Sequence, residues 1–364
     1  MSFGFSEKVR AAFAPPRYIA APLSGMDLST SGVKAVRLVN GPQGLTLADY
    51  TEVRLPPGAF TDGEIIDRAA VIEALSTAAK TVGISTTNAT LPESKSYLFE
   101  TTIKDAHKVH WRTAIEQHLD ELIPLPPSET AFDIVEVGQN KENDVLIMGV
   151  GFARRIVDDT LSVFDQAGIE VRSLEGEPFA MARALIPKGN TSTVLIIDIG
   201  KTTTKMSIVT GRIPRFATTI GIGGHALTLA VQKHFGVTEN EARKVKAEHG
   251  IVSEPGNEDY IATMLSTVSA IRDEISRRLE YWQEKATLTG HEPVSRAILS
   301  GGNASVRGLL GYLEGALQIP VTTGDIFTNM ISRDIQVPKL GYAESLAYAT
   351  AIGLALRDDT TFYV

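Results

Sequence analysis

The sequence predicts an α/β protein of two lobes, with an α+β subdomain inserted in the first lobe. Three observations carry this. Strand and helix signals alternate along the chain. A short motif occurs twice, as Asp27-Leu-Ser-Thr-Ser-Gly-Val-Lys34 and Asp198-Ile-Gly-Lys-Thr-Thr-Thr-Lys205. At 364 residues, 43% of them apolar, the chain exceeds one typical domain and can bury a large core.

Composition removes several function classes. A net charge of -8 and a pI near 5.5 give no electrostatic reason to hold nucleic acid, which is gripped through clustered Lys and Arg. With no cysteine, disulfides, thiolate metal sites and cysteine nucleophiles are excluded, and a reducing cytosol fits. No stretch approaches the roughly 20 apolar residues that span a bilayer. The longest uncharged apolar run, Ser345 to Leu356, has helical spacing and is shorter. The opening segment, Met1 to Ala14, sets Phe3, Phe5, Val9 and Phe13 among Lys8 and Arg10, without the continuous core of a signal peptide. It reads either as a short amphipathic surface helix or as a frayed terminus, and Pro15-Pro16 ends it.

Along the chain, an insert is expected between Ser94 and Val171: a strand, a helix around Trp111, Ile115 and Leu122, strands from Ala131 to Val137 and Val145 to Val150, then a helix from about Ile156 to Ala167 closed by Gly168. Within it, Leu122-Ile-Pro-Leu-Pro-Pro127 is apolar and rigid, since each proline fixes φ and removes a donor. Gln139 to Asp144 reads as a polar hairpin tip. Val194 to Ile199 and Arg296 to Ser300 read as buried strands. A helix from about Ala226 to Phe235 is closed by Gly236, and His249 to Asp259 is a Gly, Pro and acid-rich loop. Ile261, Leu265, Val268, Ile271, Ile275, Leu279 and Trp282 then recur at three and four, which marks one long helix with a continuous buried stripe. Histidines are scattered, with His107, His110 and His118 around one helix, and no pair has metal-ligand spacing.

Each copy of the repeated motif follows one strand and precedes another, so each predicts a β-hairpin tipped with Ser, Thr and Gly. Small residues let backbone N–H groups approach phosphate oxygens, hydroxyls add hydrogen bonds, and an Asp at a strand end can hold Mg²⁺ through water. Two facing hairpins would clamp a nucleotide between the lobes. Either alone is ordinary turn chemistry. Two further elements accompany them: Leu299-Ser-Gly-Gly-Asn-Ala-Ser-Val-Arg-Gly308 lies between a strand and the helix Leu309 to Leu317, and Ile220-Gly-Ile-Gly-Gly-His-Ala226 precedes a helix start, where free N–H groups favour an anion.

These four elements, with Glu177-Pro-Phe-Ala180, resemble the actin, sugar-kinase and DnaK-type ATPase superfamily over about Ser24 to Leu356. Within it the sequence is most similar to the PilM family, the actin-like proteins of type IV pilus machines, and next to the FtsA cell-division proteins. The matching segments are Gly25-Met-Asp-Leu-Ser29, Glu121-Leu-Ile-Pro-Leu-Pro126, Glu177-Pro-Phe-Ala-Met-Ala182, Ile222-Gly-Gly-His-Ala226 and Arg278-Leu-Glu-Tyr-Trp-Gln283. The resemblance implies an actin-like, ribonuclease H-like duplicated fold. Residues 17–93, 172–190 and 345–358 would form the first lobe, behind an N-terminal tail, 1–16. Residues 94–171 would form a partner-binding insert, and 191–344 the second lobe with a smaller subdomain at about 226–292.

The resemblance also implies ATP and Mg²⁺ as cofactors. Asp27 and Asp198 would lie near the metal, through water. Ser29, Thr30, Ser31 and Lys34 of the first hairpin, and Gly200, Thr202 and Thr203 of the second, would meet the phosphates with Gly223 and Gly224 beside them. Gly301, Gly302, Asn303 and Ser305 would face the adenosine, and Lys246 the ribose, unless the basic cluster Arg243, Lys244 and Lys246 is a solvated face. Glu177 would orient water, or serve only as an acid at a helix start. Lys201 departs from the family's small residue and either neutralises phosphate or points to solvent.

No acceptor pocket or specialised base is visible beyond Glu177, so slow hydrolysis at most is expected, with ATP closing the lobes and biasing a partner surface. That makes the chain a cytoplasmic scaffold of a type IV pilus, or related type II secretion, platform. It would sit at the inner membrane by gripping the cytoplasmic N-terminal peptide of a PilN-type protein, alongside other platform proteins, in a groove between first lobe and insert with the Trp111 to Leu125 region and the neighbouring strands as walls, unless Trp111, Ile115 and Leu122 only build the core of the insert. The alternatives are an FtsA-like cell-division ATPase or an active ATPase or kinase. FtsA proteins end in a basic amphipathic helix after a linker, whereas Asp358 to Val364 follows the last core helix directly, which favours the PilM pattern.

Overall fold

The computed structural model describes residues 23–41, 44–104, 110–140, 143–330 and 338–357, without the side chains of 288 and 289. The N-terminal segment, His107, part of the 139–144 tip and the tail from 358 lie outside these.

Two five-stranded sheets share one topology. In the first, β1 (Ser24–Ser29), β2 (Gly32–Gly41) and β3 (Gly44–Arg54) form an antiparallel meander, and β6 (Thr86–Leu91) and β10 (Glu170–Gly176) extend it in parallel beyond β1. Between these come a small hairpin, β4 (Phe60–Thr61) and β5 (Glu64–Ile65), and helix α1 (Arg68–Val82). The second sheet repeats the order with a meander of β11 (Thr193–Ile199), β12 (Thr204–Thr210) and β13 (Ile213–Ile220), and parallel strands β14 (Arg296–Ser300) and β15 (Val321–Thr323) on the far side of β11. The register repeats as well: Asp27 stands opposite Lys34, and Asp198 opposite Lys205. Buried central strands account for their β-branched composition.

A third, antiparallel sheet of β7 (Tyr97–Ile103), β8 (Thr130–Gln139) and β9 (Val145–Ala153) has the order β7-β9-β8. It packs on helices α2 (Trp111–Glu116) and α3 (Leu119–Leu122). The single helix expected around Trp111 is broken in two, while Trp111, Ile115, Leu119 and Ile123 stay buried in the core of this unit. Helix α4 (Arg154–Gln166), expected within the insert, sends Val163 and Phe164 into the core of the first sheet with Val71 and Leu75. A strand leads straight into it; the first turn of α4 packs Ile156 against Phe152 of the third sheet, and the rest of its apolar stripe finds its complement on α1 and the first sheet.

Helices α5 (Glu177–Leu185) and α11 (Ala349–Ala355) lie between the two large sheets in one shared cluster with Val36, Leu38, Ile196 and Ile298. They cross closely: a Cβ on Gly353 would overlap the backbone of Ala180, and one on Gly25 would overlap Ala351. The second sheet carries α6 (Gly224–Phe235), α7 (Glu239–His249), the 32-residue α8 (Glu258–Thr289) and α9 (Leu309–Leu317); α10 (Tyr342–Ser345) leads back to α11. Thr238 caps α7 in a reciprocal capping box with Glu241, and Gly236 ends α6 at φ 65°, the left-handed region a glycine enters without strain. Met264, Val268, Ile271, Ile275 and Trp282 of α8 are fully or almost fully buried.

Candidate functional site: a cleft between the two hairpins

The two repeated hairpins meet across one cleft, where Thr30 Oγ1 and Thr202 Oγ1 are 2.9 Å apart. In the first hairpin Ser29 Oγ lies 3.0 Å from Ser31 Oγ and donates to the Gly32 carbonyl at 3.2 Å. Lys34 Nζ donates to Ser31 Oγ at 3.0 Å and pairs with Glu52 at 3.6 Å. Asp27 is buried at the end of β1 and accepts from Thr90 Oγ1 at 3.3 Å. In the second hairpin Gly200 N donates to the Thr203 carbonyl at 2.9 Å. Desolvation raises the Asp198 carboxyl, against the nearby charge of Lys205, with Asp27 adding to the rise.

Glycines bring the other loops onto this hairpin. Gly301, at φ +93°, lies where a Cβ would press on Asp198 Oδ1 at 2.6 Å and on the Ile199 backbone. A Cβ on Gly223 would meet Thr203 N at 2.6 Å, and one on Gly224 would overlap the Asn303 amide. Asn303 Nδ2 donates to the Gly200 carbonyl at 2.8 Å, while its Oδ1 accepts from Lys246 Nζ at 2.9 Å; Lys246 also donates to the Gly224 carbonyl at 3.0 Å. Asn303 and Lys246 thus tie α7, the start of α6 and the second hairpin into one knot. The N–H groups expected to be free there are engaged: Gly224 N donates to the Gly200 carbonyl at 2.9 Å and His225 N to that of Lys201 at 2.7 Å. Gly302 and Ser305 are exposed, and a Cβ on Gly302 would touch only Ala347, at 3.8 Å. Burial, reinforced by Arg243, lowers the Lys246 ammonium to about 8. Lys201 joins Arg243 and His225 in holding the Glu239 carboxyl below its ordinary value, which puts its charge near the start of α7.

Glu177 opens α5 on the cleft floor, and Lys205 Nζ, from β12, donates to its Oε2 in a close ion pair. Burial raises the Glu177 carboxyl; Lys205 opposes the rise, and Asp27 and Asp198 add to it. Lys205 is disfavoured as a cation by its own desolvation, but Glu177, Asp198 and Asp27 together outweigh that and raise it. Sequence reasoning placed Lys205 in the motif but not in the site, although as the counterpart of Lys34 it carried a signal. Glu93 was missed as well. It lines a small space with Glu177 and Lys205, and Thr219 Oγ1 donates to it. Among the described residues no three His, Asp or Glu side chains converge to ligate a metal directly.

A second cavity, about 180 Å³, lies between the third sheet and the first. Five consecutive residues, Ala131 to Val135, line it, so β8 presents its free edge rather than one face; Leu91, Phe152, Leu174 and Phe179 close the apolar side and Arg357 stands at its rim. Of the walls expected for a partner groove, the strands β8 and β9 line this cavity, whereas the apolar side chains of the Trp111 to Leu125 segment are turned into or against the core of the insert.

Among the described residues no helix is long and apolar enough to cross a membrane. In structure the chain resembles a PilM-PilN type IV pilus biogenesis complex, with a TM-score of 0.76 at 19% identity over 94% of this chain and 99% of that one. It also resembles MreB5 of Spiroplasma citri bound to ADP, with a TM-score of 0.52 at 15% identity over 92% and 94% of the two chains. A MamK double helical filament matches with a TM-score of 0.51 at 14% identity, covering 91% and 97%. These likenesses establish the actin-like fold. Residues 25–359 match the sequence model of the family described as Type IV pilus assembly protein PilM, and the chain belongs to that family.

Proposed function

We propose that this chain is a nucleotide-holding scaffold of the type IV pilus, or related type II secretion, inner-membrane platform, and that it recruits a PilN-type membrane protein. The observation that carries the nucleotide reading is the pair of Asp-bearing hairpins facing each other, with Thr30 and Thr202 in contact across the cleft. ATP would lie with its phosphates between the hairpins, and the Lys246 and Asn303 knot would sit on its nucleoside side. With no cluster of direct ligands among the described residues, Asp27 and Asp198 suit a Mg²⁺ held through water, where it would neutralise phosphate charge. Binding would replace the Thr30 to Thr202 contact with contacts to phosphate, control the closure of the lobes and bias the partner surface.

The partner reading rests on the cavity at the edge of β8. An unpaired edge offers backbone donors and acceptors to an extended peptide, and the apolar lining takes its alternate side chains. With no membrane-crossing helix among the described residues, the chain would then reach the inner membrane, from the cytoplasm, through the protein it grips. The test is calorimetry on two variants with confirmed folding. Asp198→Ala should abolish Mg-ATP binding, and Val135→Glu, which puts a charge into the cavity, should weaken a PilN-type tail peptide at least about tenfold, roughly 1.4 kcal/mol, while ATP affinity stays unchanged. Undiminished ATP binding by the first variant would overturn the clamp, and undiminished peptide binding by the second would overturn the groove.

A further inference from the structure

Glu177 is a carboxylate on the cleft floor outside the two hairpins, at the start of a helix between the lobes. Its side chain is only 4% exposed, and its neighbour in the ion pair, Lys205, is 22% exposed. Lys205 is not a loose surface cation. β12 holds it opposite Asp198 by backbone pairing, so its ammonium is delivered to Glu177 from the base of the second hairpin. The charges facing the pair are Asp27 from β1, Asp198 from β11 and Glu93 from the turn after β6, and Lys34 from β2 acts on Asp198.

A buried carboxyl raised by desolvation makes a strong base, which is how such groups serve as proton acceptors. Contact with an ammonium opposes that. The lone pair of Oε2 is engaged in a charge-assisted hydrogen bond, and taking a proton would break that bond and leave the ammonium unpaired in a poorly screened site. We propose that Lys205 is a positioning residue that keeps Glu177 occupied and opposes its protonation, so that ATP bound in this cleft is kept rather than hydrolysed. This rests on the nucleotide reading above and deepens it, because Lys205 then sets the lifetime of the ATP state. In the suppressed reaction a water oxygen bonds to the γ-phosphorus as the bond from that phosphorus to the β,γ-bridging oxygen breaks. ADP leaves with the electron pair, and the water proton goes to a Glu177 oxygen.

The test uses the full chain carrying Lys205→Met, Lys205→Gln, Glu177→Gln and the two doubles. Lys205→Gln keeps a donor on Glu177 and serves where the methionine variant does not fold. Without nucleotide, the infrared carboxyl bands that disappear with Glu177→Gln should show Glu177 titrating at lower pH in the wild type than in either Lys205 variant. A Glu177 that titrates alike with and without Lys205 would overturn the proposal. In single turnovers with Mg-ATP, the Lys205 variants should hydrolyse bound ATP about 100-fold faster than the wild type, the low end of what a positioned base contributes. That rate should rise with pH as Glu177 deprotonates and return to the wild-type value when Glu177→Gln is added. A purely structural pair predicts weaker folding with no change in turnover. Folded Lys205 variants that bind ATP and hydrolyse it at the wild-type rate would overturn the proposal, as would an acceleration that survives Glu177→Gln. If the wild type binds no ATP at all, the nucleotide reading falls, and the infrared result alone decides whether Lys205 holds Glu177.

Discussion

At Lys246 one side chain joins the packing of the second lobe to the proposed nucleotide site. Its ammonium is partly buried, donates to Asn303 and Gly224, and is lowered to about 8 by desolvation. A depressed base is cationic only below its folded value, so Mg-ATP affinity should fall as pH rises through about 8, and Lys246→Met should bind more weakly without that fall. Calorimetry between pH 7 and 9 checks this. For stability the sign is opposite: from about 8 up to the ordinary value of 10.5 the unfolded chain holds the proton and the folded chain does not, so this group's contribution rises with pH in that window. Gly224 is the other half of the knot. Gly224→Ala forces a methyl group into the Asn303 amide and should cost about 1–3 kcal/mol, read as a lower denaturant midpoint. That Lys246, Asn303 and Gly224 belong together was legible as separate motifs, but the hydrogen bonds joining them cross long sequence separations and have no local signature.

At the scale of elements, the crossing of α5 and α11 decides how closely the lobes are joined. Small residues permit it: Gly353 meets Ala180, and Arg183 Nη1 donates to the Gly353 carbonyl at 2.8 Å while pairing with Glu175. Gly353→Ala should therefore destabilise the fold by about 1–3 kcal/mol through overpacking rather than through helix propensity, which favours alanine. Chemical denaturation distinguishes the two, because only overpacking lowers the midpoint. The run from Ser345 to Leu356 was legible as a helix, and its shortness excluded a membrane span. Which helix it crosses was not, since both faces are apolar or small and the period names no partner. The fate of α4 has the same cause: its stripe was visible, but only the position of α1 decides where the stripe is buried.

On the scale of the whole molecule, the insert touches both lobes. Arg215 Nη1 on β13 donates to Glu100 on β7 at 2.9 Å, and His291 Nε2, after α8, lies 3.3 Å from the same carboxylate. The third sheet, which bears the edge-strand cavity, is thus latched to the lobe that carries the second hairpin. If nucleotide moves the lobes, this latch passes the movement to the cavity. Arg215→Ala should leave the separate affinities for Mg-ATP and a PilN-type tail peptide within a few-fold of wild type. It should also abolish the change in peptide affinity that Mg-ATP produces, a coupling expected to be on the order of 1–3 kcal/mol and equal in both directions. Calorimetric titration of peptide with and without nucleotide measures it, and coupling that persists in Arg215→Ala would place the connection elsewhere.

By itself the sequence determined the duplicated α/β architecture, the two hairpins, the glycine loops and the long helix, because periodicity, capping residues and a repeated motif are local and survive without neighbours. It also carried the family, through five short segments dispersed over the chain. Only the tertiary structure decided that Lys205 sequesters Glu177, that the N–H groups before α6 are already engaged, and that the cavity is built from the edge of β8 instead of the Trp111 to Leu125 segment. Each of these depends on which side chain faces which across strands and lobes. A one-dimensional pattern holds the period of a buried face, but not the identity of what covers it.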